Sequence, residues 1–434
     1  MSIFKRYFSE SHEILYIPKI QSFVGKVDLI GSKSIANRAL LVSSMSEGIT
    51  NLHNVPNSED VEILKNTLPL FSVDIQKLDS SSYRIQGREG FDFKKNYFNL
   101  NNAGTALRPL VAIISTQDLK KEIIIDGNQQ MRKRPIQDLV ISLQNIGVDL
   151  ECSPEGTPPI KIKRGKWKKN QIFISGKTSS QFVSALLMAA PLTNKEIEIF
   201  VTNELVSKPY IDLTLKIMEM FSVKVVNENY KYFKIPAQKY KSVKDYYIEG
   251  DATAATYFFT AGMLSGPVSV FGISKNSIQG DIQYLDIIQK IGGKVSSDKD
   301  SITVENSGTL RGISIDMNQM PDAAMTLAVT GLFTNTPIEI YNVENLRFKE
   351  SERIAGLSTE LKKFGAKVEE KKDGLIVYPI ENIRKPKIET YQDHRMAMAF
   401  SLGSFLTEIE IIDPDCVKKT YPDYFLHFEK ICRL

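Results

Sequence analysis

Along this chain, amphipathic helical runs end repeatedly in an aromatic residue or Ile, then a Gly or Ser, then a short β-branched stretch. Five segments share the form: "LPLFSVDI", "LQNIGVDL", "MEMFSVKV", "IQKIGGKV" and "LKKFGAKV". Their Ser or Gly residues, Ser72, Gly147, Ser222, Gly292 and Gly365, recur every 70 to 75 positions. A Gly after a helix accepts the left-handed conformation that satisfies the last carbonyls, and the Val or Ile behind it favours a strand. Each segment therefore predicts helix, cap and strand. A sixth copy falls near the end, where "FLHFEKICRL" supplies a helix before the chain stops. The period is too long for a solenoid of short repeats, so the pattern predicts six copies of a small α/β unit, three per domain. The segments between copies are left to carry function.

Length agrees with this division, because 434 residues exceed what one hydrophobic core usually organises. With 42% hydrophobic and 24% charged residues, the composition is that of a compact soluble protein rather than a disordered or membrane chain. The formal charge of +4 is too small to indicate a nucleic-acid or membrane partner, so positive charge can matter only locally. Three cysteines, Cys152, Cys416 and Cys432, have no close-spaced pair, and the N-terminus shows no apolar stretch with a cleavage site. No window reaches the roughly 18 uninterrupted apolar residues of a membrane span. A cytoplasmic location is expected.

Local positive charge is found in turns of small residues ahead of helical runs. In "GSKSIANR", Lys33 and Arg38 stand among Gly, Ser and Ala just before an apolar run. Similar segments are "NNAGTALRP", "MRKRPIQDL", "SGKTSSQF", "LVSKPYID", "MPDAAMT", "RFKESERIAG", "YQDHRMAMA" and "CVKKTYPDYF". A helix N-terminus offers free N–H groups and a positive dipole end, so hydroxyl and cationic side chains there suit phosphate or carboxylate binding. Any one such segment alone reads as an ordinary N-cap with an exposed base; nine together favour anion binding. "SGKTSSQF" imitates the end of a phosphate loop, but the Gly required five places before Gly176 is Gln171. No HExxH, Cys pair or carboxylate cluster has metal-ligand spacing.

Three further residues stay ambiguous from composition. Asp322 opens "AAMTLAV" and fits a catalytic acid or a helix cap equally well. Glu350, between Lys349 and Arg353, fits a weak ion pair on an exposed helix face. His394 suits proton transfer or a structural hydrogen bond.

Taken together, "GSKSIANRALL", "NAGTALRPL", "RPIQDL", "TSSQF", "SKPYID", "KESER", "DHRMAMA" and "KTYPDYF" resemble the 5-enolpyruvylshikimate-3-phosphate synthase family, from about residue 30 to near the C-terminus. The resemblance implies a two-domain inside-out α/β barrel, each domain three copies of a βαβαββ unit, with substrates in the interdomain cleft. Residues 31–249 would form one domain, and residues 1–30 with 250–434 the other, completed by the N-terminal strand. It implies transfer of the enolpyruvyl group of phosphoenolpyruvate to the 5-hydroxyl of shikimate 3-phosphate, with release of phosphate and neither metal nor organic cofactor. Its partners would be these two small molecules, with no nucleic acid or membrane, and the chain a monomer.

By the same resemblance, shikimate 3-phosphate would meet Lys33, Ser34, Arg38, Ser179, Ser180, Gln181, Ser207, Tyr210, Asp322, Asn345 and Lys349. Phosphoenolpyruvate would meet Lys33, Asn102, Gly104, Arg134, Gln181, Glu350, Arg353, His394, Arg395 and Lys419. Asp322 suits the base at the hydroxyl, and Glu350 or Lys33 the acid at the methylene carbon. Asn101 stands where the family has Gly, and Gln130 where Arg is common. The alternatives are a UDP-N-acetylglucosamine enolpyruvyl transferase, whose reactive Cys and Lys-Asn pair are absent here, and a non-catalytic anion-binding protein.

Overall fold

The computed structural model describes residues 2–9 and 11–434. Its twelve α-helices are α1 (Lys33–Met45), α2 (Glu59–Thr67), α3 (Gly104–Ser115), α4 (Gln137–Asn145), α5 (Ser180–Ala189), α6 (Lys208–Met220), α7 (Ala252–Leu264), α8 (Tyr284–Ile291), α9 (Ala324–Thr330), α10 (Arg353–Lys363), α11 (His394–Ser401) and α12 (Tyr424–Ile431). Two compact units divide the chain: Gly31–Ile248 is one, and the chain up to Ile30 together with Glu249–Leu434 is the other.

Each unit holds three four-stranded sheets, and all six sheets follow one plan. In the sheet of α3 and α4, Tyr97–Asn99 runs parallel to Ile123–Asp126, which pairs antiparallel with Ile160–Arg164, which pairs antiparallel with Asp149–Glu151. Gln171–Ile174, Ile197–Val201, Tyr232–Ile235 and Val226–Glu228 repeat this with α5 and α6. Ser314–Asp316, Ile338–Tyr341, Gly374–Val377 and Val368–Lys371 repeat it with α9 and α10. A parallel pair needs a crossover helix, whereas the last two strands need only a short connection, so the order βαβαββ follows from the pairing itself.

The other three sheets borrow strands from far along the chain. Asp245–Tyr247 is the parallel partner of Gly48–His53 beside α1 and α2. Gly25–Asp28 is the parallel partner of Val268–Phe271 beside α7 and α8. The sheet of α11 and α12 pairs Lys387–Ile388 with Ile409–Ile412 and is completed by His12–Ile17 and Lys5–Ser9. The single N-terminal strand expected from the sequence is thus corrected to three in these sheets, because the sixth copy ends after its helix and takes both its antiparallel strands from the chain start. The segment "KRYFS" is one of them.

Alternation along the strands shows which face is covered. Tyr83–Gly87 and Ile197–Val201 bury every second residue and leave those between more exposed, the pattern of a sheet covered on one side. The first helix of each copy is buried nearly all round: every residue of α7, α9 and α11 is buried, and so is Lys33 with most of α1. The second helices are amphipathic; α8 keeps Asp286 and Lys290 off its buried stripe of Tyr284, Leu285, Ile287, Ile288 and Ile291.

The caps match the repeat. Ser72, Gly147, Ser222, Gly292 and Gly365 have φ of 62°, 95°, 68°, 124° and 96°, all left-handed. At Gly365 a side chain is excluded as well, since a Cβ would lie 2.1 Å from the Asn382 carbonyl oxygen. Cys432, after α12, is extended instead, with no adjoining hairpin to enter. Because an L-residue with a side chain is strained at positive φ, Ser222→Gly should raise stability by roughly 0.5–1 kcal/mol. Gly365→Ala should lower it by roughly 1–3 kcal/mol, both read from urea unfolding midpoints.

Candidate active site

In the unit Gly31–Ile248, candidate residues cluster where helices begin. Lys33 is the first residue of α1, and its Nζ lies 3.1 Å from Asp60 Oδ2, both side chains buried. Arg38, further along α1, is 5% exposed and among the described residues bonds only neutral partners: Nε donates to Thr214 Oγ1 at 2.8 Å, Nη1 to the Ser34 carbonyl at 2.9 Å, and Nη2 to the Tyr210 carbonyl at 3.4 Å. Burial pulls its pKa down to about 10, opposed only by Tyr210. It remains a cation at neutral pH, without a carboxylate to offset its desolvation.

Around the start of α3, Asn102 Nδ2 donates to Gln130 Oε1 at 2.7 Å, and Arg134 Nη1 lies 3.4 Å from Asn102 Oδ1. A Cβ on Gly104 would stand 2.4 Å from Arg108 Nη1 and 3.1 Å from Arg134 Nη1, so Gly is what lets two guanidinium groups approach the helix start. Arg108 donates to Gln181 Oε1 at 2.7 Å. Ser179 caps α5, its hydroxyl accepting from the Gln181 amide at 3.2 Å, and Ser180 follows as the first helical residue. Ser207 precedes α6 with φ 55°, and Tyr210 lies in the first turn of that helix.

In the other unit the cluster is built on carboxylates. Arg353, first residue of α10 and 1% exposed, donates from Nη1 to Asp322 Oδ1 at 2.8 Å, from Nη2 to Glu350 Oε2 at 2.9 Å, and from Nε to Asp393 Oδ2 at 2.8 Å. Arg395 Nη2 donates to Asp322 Oδ2 at 2.9 Å, and Lys349 Nζ stands 3.8 Å from Asp322 Oδ1. Burial would raise the Asp322 pKa, but Arg395, Lys349 and Arg353 outweigh it and hold the carboxylate well below 3.8. Burial likewise opposes the charge on Arg353, and Asp393, Glu350 and Asp322 overcome it to raise its pKa. Asp393 caps α11 by accepting from the Arg395 amide at 3.0 Å, with His394 Nδ1 3.5 Å from its Oδ1. Asn345 lies in the 3₁₀ turn Glu344–Phe348 and Lys419 ends the turn Pro414–Lys419; both are buried. Among the described residues, no group of three or more His, Cys, Asp or Glu is placed to hold a metal ion.

Buried cations gathered at helix starts, with carboxylates that can exchange protons, suit chemistry on anionic substrates. The family model described as EPSP synthase (3-phosphoshikimate 1-carboxyvinyltransferase) matches residues 17–428. The chain belongs to the EPSP synthase family. A 3-phosphoshikimate 1-carboxyvinyltransferase of Haemophilus influenzae (strain PittEE) is 43% identical to it over 429 residues, covering 97% of this chain and 99% of the relative. That of Buchnera aphidicola subsp. Cinara cedri is 44% identical, covering 96% and 97%. The solved structure of EPSP synthase from Acinetobacter baumannii superposes with a TM-score of 0.81 at 21% identity, covering 97% of this chain and 98% of that one, a likeness of fold. Membership makes this chain a transferase that moves the enolpyruvyl group of phosphoenolpyruvate to shikimate 3-phosphate, in the shikimate pathway of aromatic amino acid biosynthesis. This sets aside the UDP-N-acetylglucosamine enzyme and the non-catalytic protein.

Several ambiguities close in favour of the cluster. Asp322 is no helix cap: α9 begins two residues later, and its oxygens go to Arg353 and Arg395. Glu350 is no surface pair, since α10 starts only at Arg353 and the Glu350–Arg353 contact is largely withdrawn from solvent, with the Glu350 side chain 10% exposed. Both departures from the EPSP synthase pattern are accommodated. Asn101 has φ 45°, a conformation that Asn tolerates better than most residues, and Gln130 holds Asn102.

The partners Asp60, Arg108, Thr214 and Asp393 were not among the predicted site residues. An Arg inside "TALRPLVAII" and an Asp just before "HRMAMAF" were the available signals. Asp60, in an acidic first turn, gave none.

The depressed Asp322 pKa has a definite sign in stability. Its contribution is complete above the unfolded carboxylate value of about 3.9 and disappears as pH falls through the lower folded value. Asp322→Asn should be less stable than the wild type near pH 7, and the gap should close on acidification below about pH 4, as followed by urea unfolding at each pH.

Proposed function

We propose that the two clusters serve one substrate pair. Lys33, Ser34, Arg38, Ser179, Ser180, Gln181, Ser207, Tyr210, Asn345 and Lys349 hold shikimate 3-phosphate with Asp322 at its 5-hydroxyl. Lys33, Asn102, Gly104, Arg134, Gln181, Glu350, Arg353, His394, Arg395 and Lys419 hold phosphoenolpyruvate. The observation that carries this assignment is Arg38, a buried cation with neutral partners only, which an incoming carboxylate would neutralise. Supporting it is Arg353, which ties the candidate base and a candidate acid to one guanidinium. The enzyme is a cytoplasmic monomer that takes no nucleic acid; no helix among the described residues is long and apolar enough to cross a membrane.

The reaction adds the 5-hydroxyl oxygen to C2 of phosphoenolpyruvate while C3 gains a proton, giving a tetrahedral intermediate. That intermediate loses phosphate from C2 and a proton from C3. Asp322 takes the hydroxyl proton, and Glu350 or Lys33 delivers the proton to C3. A carboxylate held far below its ordinary pKa is a weak base, so Asp322 is restrained as long as Arg353 and Arg395 both face it. When those cations turn toward the phosphate and carboxylate of phosphoenolpyruvate, Asp322 regains basicity at the moment it is needed. The same cations then hold the charge that grows on the leaving phosphate.

Phosphate release should require both substrates, and Asp322→Ala should lower kcat by about 10²- to 10⁴-fold. Wild-type enzyme that releases no phosphate with both present would overturn the assignment. Gly104→Ala should displace the guanidinium groups of Arg108 and Arg134 and raise KM for phosphoenolpyruvate by about tenfold, with KM for shikimate 3-phosphate changed by less than about twofold in steady-state kinetics.

A further inference from the structure

Thr214 lies in the interior of α6 with no exposed surface. A β-branched residue there loses rotamer freedom, and a hydroxyl that bonds back to the preceding turn weakens a helix slightly. The Thr214 hydroxyl does bond back, donating to the Tyr210 carbonyl at 2.7 Å. For packing alone, a Val of the same shape would serve as well. The hydroxyl has other company: its oxygen accepts from Arg38 Nε at 2.8 Å and stands 3.1 Å from Ser184 Oγ on α5.

The consequence is geometric. A guanidinium is planar and carries five N–H groups in a rigid fork. Thr214 engages Nε, the Ser34 carbonyl engages Nη1 and the Tyr210 carbonyl engages Nη2. Three contacts on three nitrogens fix the plane and leave one N–H on each terminal nitrogen to donate to an incoming carboxylate. Of the three contacts, only that of Thr214 comes from a side chain, and the same hydroxyl also bonds the Tyr210 carbonyl, so it locks two of them together.

We propose that Thr214 is a positioning residue, whose hydroxyl sets the orientation of the Arg38 fork for the carboxylate of the acceptor substrate. This rests on the assignment of Arg38 to shikimate 3-phosphate, and the two can fail separately. Thr214→Val removes the hydroxyl and keeps the volume; Thr214→Ser keeps the hydroxyl and loses a methyl; Thr214→Ala provides a second hydroxyl-free variant should Val fold poorly.

The expected result is a rise of about tenfold in KM for shikimate 3-phosphate in Val and Ala, with KM for phosphoenolpyruvate and kcat within about twofold of wild type. Ser should restore KM to within about twofold, and Val in an Arg38→Gln background should add no further rise. Equal loss in Ser and Val, or a loss spread over both substrates and kcat, would make the residue a packing element and overturn the proposal. If Arg38→Gln raises KM for shikimate 3-phosphate and Thr214→Val does not, the Thr214 role falls while the Arg38 assignment stands. If Arg38→Gln leaves that KM unchanged, the assignment falls and the role of Thr214 with it.

Discussion

Buried cations at the positive ends of helices are the constraint on which the site depends. Lys33 and Arg353 are first helical residues and Arg395 a second, where the helix dipole opposes positive charge. Burial opposes it again by removing water. Both penalties must be offset by anions, and the two units do so differently. Around Arg353 and Arg395 the chain supplies Asp322, Glu350 and Asp393, so charge is largely balanced before any substrate arrives. Around Arg38 it supplies a hydroxyl and two carbonyls, which hold the guanidinium without neutralising it.

The repeated unit explains how so many helix starts become available. In each copy the first helix crosses between parallel strands and is enclosed almost completely, as α7, α9 and α11 illustrate. Such a helix has no solvated face on which a charged side chain can rest, so cations in its first turns must find partners in the protein or in a ligand. The second helix keeps a polar face, and in five of the six copies its left-handed cap turns the chain into the closing hairpin. Caps and hairpins hold the copy together, while helix starts, of first helices at Lys33 and Arg395 and of a second helix at Arg353, carry the cations.

Asp322 shows how the same ion pairs bear on stability and, in the proposed mechanism, on catalysis. Bonded to Arg353 and Arg395, it balances buried charge and stays ionised; the bonds that stabilise it also suppress its basicity. A polyanionic substrate competes for the same cations. Under the proposed assignment of Asp322 as the base, substrate binding and activation of the base are linked through shared hydrogen-bond donors.

Local chemistry made the six-copy repeat, the five left-handed caps and the motifs of the EPSP synthase family legible in the sequence, because helix periodicity, cap conformation and turn composition depend on neighbours a few residues apart. The closure of the sixth sheet by Lys5–Ser9 and His12–Ile17 was not, since strands some four hundred residues from Ile409–Ile412 pair only when burial brings them together. Nor was the choice of partners: Glu350 looked like half of a surface pair, and nothing in the sequence singled out Thr214 or Asp60. Sequence determined which residue types stand at each helix start. Tertiary structure alone decided which charges meet, because that depends on distance and on the removal of water, and neither is a property of a stretch of chain by itself.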